Sequence, residues 1–147
     1  MKRIGKMISA VLALVCLLSV LSGCAQRKEE VLKSEGNGIT VELKDVVYKD
    51  EILSGRLHLT FTPEMAAEIA KSEDGWQYLQ EKLLPTIDYN NYQVRLRVDG
   101  GTLAKSGDEL LYAEMSFAEP LYQPKVTQNM EVQIILHNVP PLRIYLG

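Results

Sequence analysis

Short segments in which apolar and polar residues alternate recur along the chain after residue 38. They cover residues 39–48, 57–61, 94–98, 111–117, 132–136 and 142–146. Because successive side chains of a β-strand point to opposite faces, this period of two predicts strands with one buried face. Turn-forming residues such as Lys49-Asp50-Glu51 and Asp99-Gly100-Gly101 separate the segments. The pattern favours an antiparallel β-sandwich.

A helical pattern interrupts the strands after the second of these segments. Thr62-Pro63-Glu64 is typical of a helix start, with a hydroxyl at the cap, proline at the first helical position and a carboxylate where the helix dipole favours it. We predict a helix over residues 63–71 and a second short helix that ends before Pro85. The expected fold over residues 39–147 is therefore mainly β, with a short helical insertion between the second and third strands.

The first 23 residues have the three parts of a secretory signal peptide. Basic residues at Lys2, Arg3 and Lys6 precede an apolar stretch over residues 7–21, and small residues follow it. The apolar stretch is about 15 residues long, shorter than the ~20 residues that a helix needs to cross a bilayer. The pattern therefore indicates a cleaved leader rather than a typical membrane span.

The leader ends in Leu21-Ser22-Gly23-Cys24. These four residues resemble the lipobox of bacterial lipoproteins. The resemblance implies that a diacylglyceryl group is attached to the thiol of Cys24, that the chain is cut before this residue and that the new amino terminus is acylated with a fatty acid such as palmitate. Two acyl chains hold a protein stably on a membrane. The implied location is extracytoplasmic, on the outer face of the plasma membrane in a bacterium with one membrane.

Residues 24–38 are polar and show no sustained apolar period. We expect this segment to be a lipidated amino terminus followed by a flexible tether. Fully extended, the tether would reach up to ~45 Å. The folded domain would then begin at Ile39.

Cysteine content and charge exclude several classes of protein. Cys16 leaves with the leader and Cys24 carries the lipid, so no thiol remains for a disulfide, a zinc site or a nucleophile. After the leader, 13 basic residues stand against 19 acidic ones, which argues against a nucleic-acid partner. The chain also lacks the sequence motifs of metalloproteases, serine hydrolases and phosphate-binding loops. We expect no cofactor, no metal site and no catalytic residues.

The segment over residues 37–48, followed by a short turn and a Leu-x-Leu-x-Phe strand, carries a second resemblance. It is similar to uncharacterised immunoglobulin-like domains on surface proteins of Gram-positive bacteria. The resemblance implies an immunoglobulin-like β-sandwich. The helical insertion and the lack of a Cys-Trp-Cys framework depart from the usual immunoglobulin pattern.

A polar and aromatic cluster at Asp88-Tyr89-Asn90-Asn91-Tyr92 indicates a binding surface. Tyrosine rings and amide side chains are the groups that sugar-binding and peptide-binding surfaces use. Two further aromatic residues precede it in the sequence. The predicted patch consists of Trp76, Tyr78, Tyr89, Asn90, Asn91 and Tyr92. The alternative is that the tyrosines simply cover one end of the sandwich.

Titratable residues are scattered along the chain. The two histidines, His58 and His137, lie on the polar phase of their segments, where solvation is the simpler interpretation. Either Asp45, Asp50 and Glu51 or Asp108 and Glu109 could bind calcium at a loop, but no EF-hand spacing supports such a site.

A function is suggested by the predicted location at the membrane, the predicted β-sandwich and the lack of a catalytic motif. We expect a non-enzymatic, membrane-anchored binding or interaction module that presents loops to a surface protein, a peptide or a glycan. The alternative is an accessory subunit of an envelope transport or signalling assembly, which would expose an apolar patch to a fixed partner. A third hypothesis is a hydrolase with an unrecognised carboxylate site.

Overall fold

A computed structural model describes residues 29–122 and 130–147. The predicted signal peptide over residues 1–23 and the predicted lipid attachment residue Cys24 lie outside the described residues. Within these two ranges, no helix is both long enough and apolar enough to cross a bilayer.

Strands in two antiparallel sheets make up most of the described chain. The strands are β1 (Lys33–Gly36), β2 (Ile39–Lys49), β3 (Ile52–Phe61), β4 (Thr86–Tyr89), β5 (Tyr92–Arg95), β6 (Val98–Ser106), β7 (Glu109–Pro120), β8 (Met130–Leu136) and β9 (Val139–Leu146). Two helices, α1 (Pro63–Lys71) and α2 (Gly75–Leu83), lie between β3 and β4. One sheet has the order β1-β2-β3-β7-β6, and the other has the order β5-β4-β8-β9.

Alternating side chains from both sheets meet in one buried core. In the five-stranded sheet Val41 pairs with Leu59, and both are fully buried, whereas the next pair, Glu42 and His58, is partly exposed. In the four-stranded sheet every second residue of β8 is buried. The predominance of strands and the shared core agree with the predicted β-sandwich.

The turn residues explain how neighbouring strands connect. Asp50 and Glu51 join β2 to β3 with φ angles of 52° and 64°, and Asn90 and Asn91 join β4 to β5 with φ angles of 48° and 66°. Tight two-residue turns that suit the twist of a hairpin need positive φ at both central residues, which asparagine and aspartate tolerate well. The turn predicted at residues 49–51 is confirmed.

Side chains cap both helices at their amino ends. The hydroxyl of Thr62 accepts a hydrogen bond from the backbone N–H of Met65, and the helix predicted over residues 63–71 is confirmed. The carboxylate of Asp74 accepts two backbone hydrogen bonds at 3.0 Å, from Trp76 and Gln77. These caps satisfy backbone donors that have no partner inside a helix.

Part of the segment predicted to be a tether pairs with the folded domain. Lys33–Gly36 forms β1 and pairs with β2, and Val31 forms a bridge to Arg143 in β9. The amide and carbonyl groups along the edge of β2 stabilise this polar segment, although it has little apolar surface to bury. Gly36 lies so close to the backbone of Asn138 that a larger residue would clash. The paired structure therefore includes residues from Val31 onward, ahead of the predicted start at Ile39.

The prediction of a turn at Asp99-Gly100-Gly101 is wrong. These residues lie inside β6, where the register shifts between Val98 and Gly100. Glycines in a strand often mark such a bulge or a close approach by another group.

Here the close approach comes from Trp76 of α2. A β-carbon on Gly101 would overlap the six-membered ring of Trp76. Gly101 pairs with the buried Met115, so the ring packs over the inward face of the five-stranded sheet. The contact between Trp76 and Gly101 thus attaches α2 to the sandwich.

We expect Gly101→Ala to lower the free energy of unfolding by about 1–3 kcal/mol, because overpacking displaces its neighbours. Thr102→Ala, at the next position of the same strand, is the matched control and should cost clearly less. Urea unfolding measures both. In the double variant, Trp76→Ala should remove part of the loss of stability that Gly101→Ala causes. If the two losses in the free energy of unfolding are strictly additive, the contact between Trp76 and Gly101 is contradicted.

Candidate functional site

A groove lies at the end of the sandwich where β3 is followed directly by α1. Phe61 is the last residue of β3, Thr62 caps the helix and Pro63 begins it. The turn between β6 and β7 forms the other wall, because β7 pairs with β3 and begins at Glu109. The helix and the turn therefore face each other across the groove.

The groove has a volume of about 300 Å³ and a lining with both apolar and polar surface. It is lined by Phe61, Pro63, Ala66, Ala67, Ala70, Asp108, Glu109 and Leu110. Met65 and Ile69, on another face of α1, are buried in the core and hold the helix against the sheets. The alanines have small side chains, so α1 leaves space beside Phe61 and Leu110.

Two carboxylates stand at the rim of the groove. Asp108 and Glu109 are exposed. In the part of the chain that the structure describes, neither carboxylate has a hydrogen bond or an ion pair to a basic side chain. The rim is therefore negatively charged and available to a cation.

A polar cluster connects the two helices and fixes α1 beside the groove. The carboxylate of Glu68 in α1 accepts hydrogen bonds from the hydroxyl of Tyr78 and from the ammonium group of Lys82 in α2. The bond from Lys82 measures 2.8 Å, and Lys82 also lies 3.0 Å from the hydroxyl oxygen of Tyr78. Because both helices contribute, the cluster resists their separation.

These contacts shift the acidity of both charged groups. The hydrogen bond from Lys82, with a further one from Tyr78, lowers the pKa of Glu68. The hydrogen bond to Glu68 raises the pKa of Lys82. Both shifts favour the charged forms, so the pair is ionised at neutral pH.

A second polar network covers the outward face of the five-stranded sheet. Arg56 forms ion pairs with Asp45 and with Glu114, the latter at 3.4 Å. The Nδ1 atom of His58 lies 3.1 Å from Glu114, and its ring lies 5.0 Å from that of Tyr112. These contacts join β2, β3 and β7 across their outer face, which is a structural role.

His58 and His137 do not meet in the structure. His58 is on β3, whereas His137 is in the turn between β8 and β9. Across residues 29–122 and 130–147, no three histidine, aspartate or glutamate side chains are grouped as metal ligands would be. The histidines therefore belong to separate surfaces.

The structure divides the predicted binding patch into two parts. Trp76 packs on Gly101 in the five-stranded sheet, and Tyr78 joins the two helices. The other four residues, Tyr89 to Tyr92, form the hairpin of β4 and β5 in the four-stranded sheet. The two parts therefore contact different sheets.

Two tyrosine rings, those of Tyr89 and Tyr92, stack on each other in the β4–β5 hairpin. Tyr89 is 1% exposed, and its hydroxyl accepts a hydrogen bond of 3.0 Å from the backbone N–H of Tyr122. The ring of Tyr92 stacks on that of Tyr89 with 6.1 Å between centroids. The side chain of Asn90 donates to the sulfur of Met130. Sequence reasoning missed Tyr122, because it becomes a neighbour of Tyr89 only through the packing of the two sheets.

Sequence reasoning also missed the groove. Asp108 and Glu109 appeared as a potential calcium loop, and nothing in the sequence places Phe61 and Ala70 beside them. A weak signal is present in α1, where Ala66, Ala67 and Ala70 leave one face of the helix with small side chains.

No protein-family model matches the chain, and no curated protein or solved structure matches it either. The apolar side chains in the lining and the exposed carboxylates at the rim are the two properties of the groove that bear on a function.

Replacing the Glu68 carboxylate should reveal its pH-dependent contribution to stability. A depressed pKa in the folded state stabilises the fold above the ordinary value of 4.5, and this contribution is lost as the pH falls through the folded pKa. We expect Glu68→Gln to be less stable than the wild type at neutral pH and equally stable at strongly acidic pH. Thermal unfolding as a function of pH measures the difference.

Glu73→Gln removes a carboxylate from the loop between the helices and is the matched control. It should give the wild-type pH profile. A Glu68→Gln variant that is as stable as the wild type at neutral pH would contradict the role of the cluster in holding the two helices together.

Proposed function

We propose that this protein is a non-enzymatic binding module, attached to the outer face of a bacterial cell membrane through a lipid on Cys24. The groove between α1 and the β6–β7 turn is the observation that carries the binding role. Its partner is a surface protein or peptide that places an apolar side chain next to a lysine or an arginine.

The chemistry of the groove supports this choice of partner. Burying an apolar side chain against Phe61, Leu110 and the alanines stabilises a complex by about 25 cal/mol for each Å² removed from water. A neighbouring lysine or arginine reaches Asp108 or Glu109 at the rim, where charge complementarity adds specificity and speeds association. An acidic partner would be repelled.

The position of the groove suits a membrane-anchored module. Gly36 at the end of β1 pairs with Ile39, which pairs with Phe61 at the groove. β1 therefore runs toward the groove, and the chain that precedes it comes from the other end of the sandwich. A lipid on Cys24 would leave the groove facing away from the membrane.

The strand order supports an immunoglobulin-like identity for the domain. With β1 set aside, the order β2-β3-β7-β6 corresponds to A-B-E-D, and the order β5-β4-β8-β9 corresponds to C′-C-F-G. In this correspondence the two helices form an insertion between strands B and C. Such domains commonly serve as recognition modules, although a fold alone does not specify a function.

Mass spectrometry of the membrane-extracted protein tests the anchor. We expect an acylated amino-terminal peptide that begins at Cys24, because the lipobox resemblance implies cleavage before this residue. Cys24→Ala should remove both the acylation and the cleavage. A wild-type protein that is released unlipidated into the medium would overturn this part of the proposal.

Peptide binding by the lipidated protein in detergent tests the groove. We expect peptides with adjacent apolar and basic residues to bind, and their affinity to fall as the salt concentration rises. Asp108→Asn and Glu109→Gln should each weaken binding by up to roughly fivefold, since an exposed ion pair contributes up to about 1 kcal/mol. Ala70→Leu should weaken binding by filling the groove.

The matched control replaces an equivalent pair of carboxylates at the other end of the sandwich. Asp50→Asn and Glu51→Gln change the turn between β2 and β3, and should leave binding unchanged. Equal binding of acidic peptides, or undiminished binding by Ala70→Leu, would contradict recognition in the groove.

A further inference from the structure

The amino-terminal chain enters the domain toward one particular end of the sandwich. Val31 pairs antiparallel with Arg143, so the residues before Val31 run in the direction of Leu146 at the end of β9. Leu146 pairs with Met130, and the side chain of Asn90 donates to Met130. The entry point of the chain and the turn between β4 and β5 therefore share one end.

This end also carries exposed apolar and aromatic side chains. We call it the tyrosine end and define it by Tyr92, Tyr122 and Ile52. Tyr92 is 54% exposed, Tyr122 is 70% exposed and Ile52 is 43% exposed. Tyr92 and Tyr122 both contact the buried Tyr89. Ile52 pairs with Pro120, two residues before Tyr122. Tyr92 and Tyr122 thus flank the buried Tyr89, and Ile52 lies on the strand that pairs with the segment leading to Tyr122.

The length of the tether restricts how far this end can lie from the lipid. Glu29, the first described residue, follows Cys24 by five residues. At full extension five residues span at most about 18 Å. A lipid on Cys24 would therefore keep the tyrosine end within reach of the lipid headgroups.

We propose that the tyrosine end docks on the lipid surface beside the anchor, with the rings of Tyr92 and Tyr122 in the headgroup region. This inference rests on the proposed lipidation of Cys24. Tyrosine suits the membrane interface because its ring is apolar and its hydroxyl is polar. Docking adds a second contact to the lipid anchor and turns the groove outward.

The charge of the tyrosine end indicates which force holds it. Asp50 and Glu51 form the turn that leads into Ile52, and two carboxylates do not favour contact with anionic lipids. The driving force is instead the insertion of aromatic and apolar groups, and a contact of this kind is insensitive to salt. Vesicles of phosphatidylcholine are therefore the appropriate surface for a test.

An environment-sensitive fluorophore on a single introduced cysteine tests the docking. In the lipidated protein Cys16 has left with the leader and the thiol of Cys24 is blocked, so Tyr122→Cys provides one reactive site. Tyr112→Cys, at an exposed tyrosine on β7, is the matched control. After reconstitution in phosphatidylcholine vesicles, we expect the label at position 122 to shift to the blue and to be quenched by brominated lipids, at low and at high salt. The label at position 112 should do neither.

The outcomes separate this inference from the proposed function. A label on Asn91→Cys, an exposed position at the same end, keeps both tyrosines. An acylated protein in which the labels at positions 122 and 91 both remain in water overturns the docking and leaves the anchor intact. A label at position 122 that responds instead to a soluble glycan or peptide also overturns it, and assigns the tyrosines to a ligand. A protein without the lipid by mass spectrometry overturns the anchor and the docking together. Loss of the blue shift at position 122 on adding Tyr92→Ser supports the docking.

Discussion

The apolar contact between the two sheets is the interaction on which the rest of the structure depends. After residue 24 the sequence contains no cysteine, so a disulfide cannot hold the sheets together. Leu57 and Leu59 from one sheet, and Ile134 and Leu136 from the other, are among the most completely buried side chains. Removing a buried side chain of this size costs about 2–5 kcal/mol. The period of two also sets the register, because a slip by one residue would turn these side chains outward.

Hydrogen bonds at the margins of the sandwich connect the two sheets outside the apolar core. The amino-terminal segment contacts both sheets, with Val31 bridged to β9 and Lys33–Gly36 paired with β2. At the end where this segment enters, Tyr89 from one sheet accepts a hydrogen bond from Tyr122, which follows β7 of the other. Both connections involve backbone N–H or C=O groups. Folding removes such groups from water, so each needs a hydrogen-bond partner in the protein.

The helices and the hairpin turns give the two ends of the sandwich different chemistry. At one end α1 and the β6–β7 turn enclose a groove with carboxylates at its rim. At the other end stand exposed tyrosines, close to where the chain enters. A binding surface and an anchoring surface are best placed far apart on a small domain, because a partner of one then does not obstruct the other. The proposed division of roles follows this arrangement.

Local physics in the sequence determined the strands that have a clear period of two, and the cap and start of α1. Only the tertiary structure decided that Lys33–Gly36 is a strand, that Gly101 lies inside one, and that Phe61 and Asp108 line one groove. The reason is physical, since a polar segment becomes a strand only when a partner edge satisfies its backbone, and strand register alone brings distant residues together. A helix cap and the alternation of apolar and polar residues depend on neighbours in the sequence, whereas a groove depends on how the sheets and helices pack.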